Sequence, residues 1–275
     1  MKNFYMLDID LTTAKTEKIE ITHLFEQYIG GTGVAAALFD EIDPEIDPMS
    51  PEAPVIFAGG PFSSVFPVAT KTVVMYKSPL SGNLGESHAG GRLAMAMYGA
   101  GYHVIRLRGK ADFPSTIEID GDSFKMSSAS SLRGMSALAT ERIVRDHYKS
   151  DYKRSIVRIG PAGERLSPIA CATVDSSRHF GRLGVGGVLG SKNVKAIVIS
   201  GGKYWKIDNP GPFNSYYKKL YDAVVESEQM RKYHDLGTPV NVVPLSKING
   251  LPTRTFSQGY FVNAEGISGA AFAQK

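Results

Sequence analysis

Cysteine is nearly absent from the chain. Among its 275 residues only Cys171 carries a thiol. That excludes an internal disulfide, and it excludes an iron–sulfur cluster held by this chain alone, since a cluster normally takes four thiolates. The setting of Cys171, Pro168-Ile-Ala-Cys-Ala-Thr-Val174, mixes small and apolar residues as buried strands do, so a core position is expected rather than a catalytic thiol. Long apolar runs are also missing: none approaches the ~20 residues that span a bilayer. The opening Met1-Lys-Asn-Phe-Tyr-Met-Leu-Asp8 meets acid too early for a signal-peptide core. A cytoplasmic protein with no membrane partner is therefore expected. No block of consecutive basic residues occurs, and aromatics do not interleave with a basic stripe. The formal net charge of +4 thus argues against nucleic acid and is better matched to a small anionic ligand.

What is present is ordinary for a globular protein: 43% hydrophobic and 21% charged residues. The length suffices for one large or two modest domains. In chain order, Tyr5 to Ile9 and Lys18 to Ile21 read as strands joined by a polar turn, and Thr22 is placed to cap a short helix through Tyr28. Gly30-Gly-Thr-Gly33 interrupts it before a second helix, Val34 to Ile42, and is either an anion cradle or a plain turn between helices. Val55 to Ala58 and Lys71 to Tyr76 read as strands. In Glu86-Ser-His-Ala-Gly-Gly91, Ser87 or His88 precedes glycines opening a helix from Arg92 to Tyr98, so free amides are expected there. Tyr102 to Lys110 alternates like a half-exposed strand, and Ser115 to Asp120 pairs with Ser123 to Met126 around Gly121-Asp122. Ser136 to Tyr148 is amphipathic, with Leu138, Ile143, Val144 and Tyr148 as its inner stripe. Strand-dense sequence runs to Gly202 and helical sequence follows, which sets a boundary near Lys206: residues 1–206 as one domain and 207–275 as the start of another.

One stretch stands out: Asp175-Ser-Ser-Arg-His-Phe-Gly-Arg-Leu-Gly-Val-Gly-Gly-Val-Leu-Gly-Ser-Lys-Asn193. Gly181, Gly184, Gly186, Gly187 and Gly190 permit close backbone approach, and Lys192 closes the run. Arg178 and Arg182, four apart, would share a face if the segment were helical. Uncrowded amides beside guanidinium forks suit anionic oxygens, phosphate above all. A tightly packed structural turn is the competing explanation. It is not a Walker loop, because Gly190-Ser-Lys192 leads into the apolar strand Val194 to Ile199 rather than into a helix.

The wording of Arg178-His-Phe-Gly-Arg182 and of Gly184-Val-Gly-Gly-Val-Leu-Gly-Ser-Lys-Asn-Val-Lys-Ala-Ile197 resembles the tungsten-pterin aldehyde:ferredoxin oxidoreductase family. Lys77-Ser-Pro-Leu-Ser-Gly82, Glu86 to Gly91 and Gly160-Pro-Ala-Gly-Glu164 follow as further landmarks, so the resemblance covers essentially the whole chain. It implies an α+β fold: a β-rich two-sheet N-terminal platform that bears the cofactor, followed by the start of a helical domain. It also implies one tungsten (or molybdenum) atom between two pyranopterins, a magnesium ion bridging their phosphates, and a nearby [4Fe-4S] cluster. The implied reaction is oxidation of a small aldehyde to a carboxylic acid, with electrons passed to ferredoxin or another iron–sulfur protein. A homodimer is an assembly the resemblance allows.

Carried over residue by residue, the cofactor-binding set is Lys71, His88, Ala89, Gly90, Gly91, Arg178, His179, Gly181, Arg182 and Gly184. The main-chain carbonyls of His88 and His179 are placed toward magnesium, which takes oxygen ligands. No catalytic side chain is assigned. This sequence has histidine at 88 where asparagine is usual, histidine at 179 where a small residue is usual, and lysine at 71 in place of arginine, which keeps a charge without the bidentate fork. The family's cluster cysteines would follow the loop Leu251-Pro-Thr-Arg-Thr-Phe256, and the sequence given contains none. It is therefore expected to act with a cysteine-bearing C-terminal half or subunit. The alternatives are a stand-alone pterin-phosphate binding module and a non-catalytic structural subunit.

Overall fold

The first three quarters of the chain build two six-stranded sheets whose central strands are almost continuously buried, as seen in a computed structural model that describes residues 3–204 and 206–274. The chain divides into two units, Met1–Lys206 and Ile207–Lys275.

The first unit runs β1 (Tyr5–Asp10), β2 (Lys15–Glu20), α1 (Thr22–Tyr28), α2 (Thr32–Asp40), β3 (Val55–Gly59), β4 (Thr72–Lys77), β5 (Leu84–Ala89), α3 (Leu93–Ala100) and β6 (Val104–Arg108). It continues with β7 (Ser115–Asp120), β8 (Ser123–Ser128), α4 (Ala137–His147), β9 (Ser155–Arg158), α5 (Pro161–Glu164), β10 (Ala172–Val174), β11 (Arg178–Phe180), α6 (Val185–Ser191) and β12 (Val194–Ser200). The first sheet has the order β2-β1-β6-β3-β4-β5, the second β11-β10-β9-β12-β7-β8. Each is mixed: β1 with β6 and β12 with β7 are parallel pairs, and the rest are antiparallel. With its helices this is the α+β, two-sheet architecture that the resemblance implied.

The main core lies between the sheets. Leu7, Ile9, Phe57, Val74 and Ile105 of the first meet Ile117, Val157, Phe180 and Ile197 of the second, with Leu93 and Met97 of α3. Phe57 and Phe180 bring their rings to 5.8 Å across the gap. The outer face of the first sheet, through Ile56, Val73 and Met75, packs on α1 and α2, and the outer face of the second packs on α4.

Three expectations are corrected by long-range contacts. β6 is a central strand rather than a half-exposed one. Arg106 lies opposite Asp8 on β1 and donates to both its carboxylate oxygens at 2.8 and 3.0 Å, while Arg108 adds a 2.6 Å bond. The inner face of α4 is mixed: Val144 and Tyr148 are buried as expected, but Leu138 and Ile143 are 61% and 43% exposed, and Glu141 is buried in their place. Glu141 accepts from Arg158 and Arg145, each at 2.6 Å, so a salt-bridged triad shares the buried face with Val144 and Tyr148. Thr22 does not cap α1; its hydroxyl accepts from the Phe4 amide at 3.0 Å and donates to Glu20, tying the helix to the N-terminal strand. By contrast Ser136 caps α4 by accepting from Ala139 N at 3.2 Å.

In the second unit, α7 (Pro210–Val225), α8 (Glu228–Leu236) and α9 (Val242–Lys247) bury none of their described residues, and α10 (Gly269–Ala273) buries only Gly269. No helix of the protein is long and apolar enough to cross a membrane among the described residues.

Two outcomes follow from this packing. A Cβ on Gly190 would stand 2.0 Å from the carbonyl oxygen of Gly163, where α6 crosses α5. Gly190→Ala is expected to cost roughly 1–3 kcal/mol, the usual range for overpacking, measured as a lower urea midpoint at unchanged m. Burial opposes ionisation of Asp8, but the bonds from Arg106 and Arg108 outweigh it and hold the carboxyl below its ordinary value of 3.8. The stability it contributes is present above that value and is lost as pH falls through the depressed folded-state value. Asp8→Asn is therefore expected to cost about 3 kcal/mol at neutral pH, with the deficit shrinking in urea melts taken below pH 4.

Candidate anion-binding rim

The last strand of the first sheet, β5, runs beside the last strand of the second, β11. Three side chains of the first sheet and its β4–β5 turn hold the backbone that follows β11. The Tyr76 hydroxyl donates to Arg182 O at 2.6 Å, the Ser78 hydroxyl donates to Leu183 O at 2.9 Å, and the Arg182 amide donates to Ser87 Oγ at 3.3 Å. Burial raises the Tyr76 phenol well above its ordinary value, which keeps it a donor. The chain turns there through two successive left-handed residues, Leu183 (φ 58) and Gly184 (φ 86).

This geometry divides the glycine-rich stretch. A Cβ on Gly184 would lie 2.1 Å from Pro168 O and one on Gly186 2.4 Å from Cys171 O, so with Gly190 these positions are committed to seating α6. The structural-turn explanation therefore accounts for the second half of the run. Lys192 belongs to that half as well. Its ammonium is fully buried and donates to the carbonyls of Ser50, Pro51 and Gly109 at 3.2, 2.8 and 3.3 Å. Burial pulls it down to about 8. It joins internal loops and does not face a ligand. Cys171, expected in the core, is exposed, because β10 begins one residue later.

The first half is open. Arg178 lies in β11 and Arg182 in the turn after it, so the two do not share a helical face; both are exposed nonetheless. The nearest atom to a Cβ on Gly181 would be 4.0 Å away, and one on Gly90 would meet nothing within 4 Å. Gly91 (φ 100) packs under Arg178, whose Cγ would be 3.3 Å from a Cβ there. Below them the buried carboxylate of Asp175 accepts from Ser155 Oγ and from Ile156 N, both at 3.1 Å, and Arg92 Nε stands 4.0 Å away. Gly90 and Gly91 precede α3, as expected, but Ser87 and His88 lie in β5 and do not open the helix.

On the outer face of the same strands, Gly30, Gly31, Thr32, Gly60, Lys71 and His88 line a pocket of about 310 Å³. The His88 ring lies 2.5 Å from Glu86 Oε1, which also accepts from Thr32 Oγ1 at 3.0 Å. The bond from His88, against the opposing effect of burial, holds the Glu86 carboxyl below its ordinary value. The His88 side chain is thus occupied within the protein. Among the described residues no carboxylate forms an ion pair with Lys71, Arg178 or Arg182. No group of three or more His, Cys, Asp or Glu side chains that could hold a metal occurs among the described residues either.

The sequence-derived residues Lys71, His88, Ala89, Gly90, Gly91, Arg178, His179, Gly181 and Arg182 therefore fall on one β5–β11 rim and the pocket beside it. Sequence reasoning missed the groups that assemble the rim: Tyr76, Ser78, Glu86, Ser87 and Asp175. Their partners lie tens of residues away, and no spacing signals them.

A two-sheet platform whose adjoining strands carry open glycine corners and exposed cations outside ion pairs fits the class of proteins able to hold an anion. Comparison with known proteins makes this particular. Residues 6–201 match the family model described as aldehyde ferredoxin oxidoreductase, N-terminal domain. The chain is 37% identical over 243 residues to the tungsten-containing aldehyde ferredoxin oxidoreductase of Pyrococcus horikoshii, covering 86% of the chain and 39% of that protein. To the enzyme of the same name from Pyrococcus furiosus it is 34% identical over 279 residues, covering 99% of the chain and 45% of that protein. A solved structure, the active site complex BamBC of benzoyl coenzyme A reductase with 1,5-dienoyl-CoA, superposes with a TM-score of 0.75 at 29% identity, over 82% of the chain and 36% of that one. The chain belongs to the aldehyde ferredoxin oxidoreductase family, and it spans less than half the length of these relatives.

Tyr76→Phe leaves the Arg182 carbonyl without its donor, a loss of about 1–3 kcal/mol. Amide hydrogen exchange is expected to quicken at residues 181–184 and to remain unchanged in α4.

Proposed function

We propose that the first unit is the phosphate-binding floor of a tungsten (or molybdenum) bis-pyranopterin aldehyde oxidoreductase. The observation that carries this is that exposed Arg178 and Arg182 stand at the β5–β11 rim beside Gly90 and Gly181, which leave room for a ligand, outside any ion pair among the described residues, while Lys71 lines the pocket that His88 of β5 also lines. The residues present fit phosphate. Arg178 and Arg182 offer planar forks able to take two oxygens each, Lys71 adds a point charge, and backbone amides at Gly90, Gly91 and Gly181 are uncrowded. His88 and His179 offer main-chain carbonyl oxygen, the donor type magnesium takes, while the His88 ring is engaged by Glu86. When bound, the metal–dithiolene centre supplies the two-electron chemistry that turns an aldehyde and water into a carboxylic acid. The part played by this chain is to orient that group through its phosphate ends and to keep it on a rigid surface.

Two features support a role completed by further polypeptide. The single thiol, Cys171, cannot ligate a [4Fe-4S] cluster, so those ligands would come from a cysteine-bearing C-terminal half or subunit. The helices of the second unit leave Tyr216, Tyr221, Val225 and Leu245 exposed, as expected of elements that further chain covers. Ferredoxin is the proposed electron acceptor, and cytoplasm the proposed location.

The test is to produce the chain together with the polypeptide that completes it, then assay bound tungsten, molybdenum and pterin. Two pterins per metal atom are expected. Arg178→Ala or Arg182→Ala should each weaken cofactor retention by roughly 1.5–3 kcal/mol, about ten- to a hundredfold. Full retention in the double variant would overturn the proposal.

A further inference from the structure

A second cavity, of about 200 Å³, shares no residue with the rim. It lies where the start of β12 meets the end of α5 and the loop before α4, and Asp112, Arg133, Glu164, Asn193 and Lys195 line it with Ile159. Its floor is a buried ion pair. Lys195, whose side chain is 1% exposed, donates to Glu164 and to Met135 O at 3.0 Å, and the other Glu164 oxygen accepts from Gly134 N at 2.7 Å. An ammonium has three N–H donors, so one Lys195 donor has no acceptor among the described residues. Both oxygens of Glu164 are already engaged. The pair is therefore neutral overall yet still able to donate.

The mouth carries opposite charges that do not cancel each other. Arg133 and Asp112 are exposed, and no ion pair joins them to one another or to any other described residue. Asn193, held at φ 58, spends its amide on Ala111 O at 2.6 Å, which leaves its side-chain carbonyl as an acceptor. Arg133 precedes Gly134, whose amide bonds the Glu164 that pairs with Lys195, so the arginine and the spare Lys195 N–H belong to one part of the lining, suited to a carboxylate. The other offers Asp112 and the Asn193 carbonyl, suited to an ammonium. Between them, Ile159 and Pro114 supply an apolar wall. A dry cavity of about 150 Å³ accommodates a benzene-sized molecule, so this one has room for a small molecule of about that size.

We propose that this cavity binds a small apolar α-amino acid as the zwitterion, its carboxylate on Arg133 and Lys195 and its ammonium on Asp112 and Asn193. This would be a ligand site separate from the cofactor platform, and it does not depend on the platform's function.

The probe is L-valine, with 3-methylbutanoate (the same molecule without its amine) and 2-methylpropylamine (the same molecule without its carboxylate). Calorimetric titration of the chain is expected to give saturable L-valine binding, at least tenfold weaker for either analogue. NMR shifts should be concentrated at the amides of Gly134 and Asn193. Arg133→Gln and Asp112→Asn, both exposed and outside the rim, are each expected to lower L-valine affinity at least tenfold without moving the urea midpoint. Absence of L-valine binding overturns the proposal. So does equal binding of 3-methylbutanoate, which would make this a plain carboxylate site, and so does indifference to both substitutions.

Discussion

The structure depends on the grip that Tyr76, Ser78 and Ser87 exert on the backbone of Arg182 and Leu183. Through it one sheet fixes the segment that follows the outermost strand of the other. Each hydrogen bond alone contributes on the order of 1 kcal/mol. Together they decide where two exposed arginines and an open glycine corner stand relative to β5. The packing beneath is equally directed. Gly184, Gly186 and Gly190 let α6 press against neighbouring carbonyls, so the turn rests on a rigid base instead of a mobile loop.

Cations fall into two groups by the same logic. Arg106, Arg158, Lys192 and Lys195 are inside or nearly so, and each is held by carboxylates or by main-chain carbonyls. Burying a charge without such partners would be prohibitive. Lys71, Arg178 and Arg182 are outside, and the protein provides them no carboxylate at ion-pair distance among the described residues. Around Lys195 the same accounting leaves one donor and two mouth charges unused, and the second cavity is defined by that remainder.

Much of the fold was legible where periodicity was strong. The hairpin at Gly121-Asp122, the helix opening at Ser136 and the strand after Lys192 appear as the sequence suggested. The exceptions share a cause. β5 has the composition Leu-Gly-Glu-Ser-His-Ala, without a β-branched residue, and is a strand only because β4 pairs with it along its full length. The inner face of α4 was only half legible, through Val144 and Tyr148, because Arg158, seventeen residues from Glu141, draws that carboxylate inside in place of Leu138 and Ile143. The four-residue spacing of Arg178 and Arg182 would have put them on one face only in a helix, whereas pairing with β10 makes Arg178 part of a strand. At the candidate site, residue types and family wording pointed to residues that meet along β5 and β11, but the groups holding those strands together were invisible. Tyr76 and Arg182 are 106 positions apart.

The claim most open to direct attack is that β5 and β11 form one cradle for paired phosphates. A crystal structure of the chain with inorganic pyrophosphate tests it. The account predicts density for the anion against Gly90, Gly91, Arg178 and Arg182. Pyrophosphate bound only elsewhere, or a rim whose two strands have separated, would contradict it.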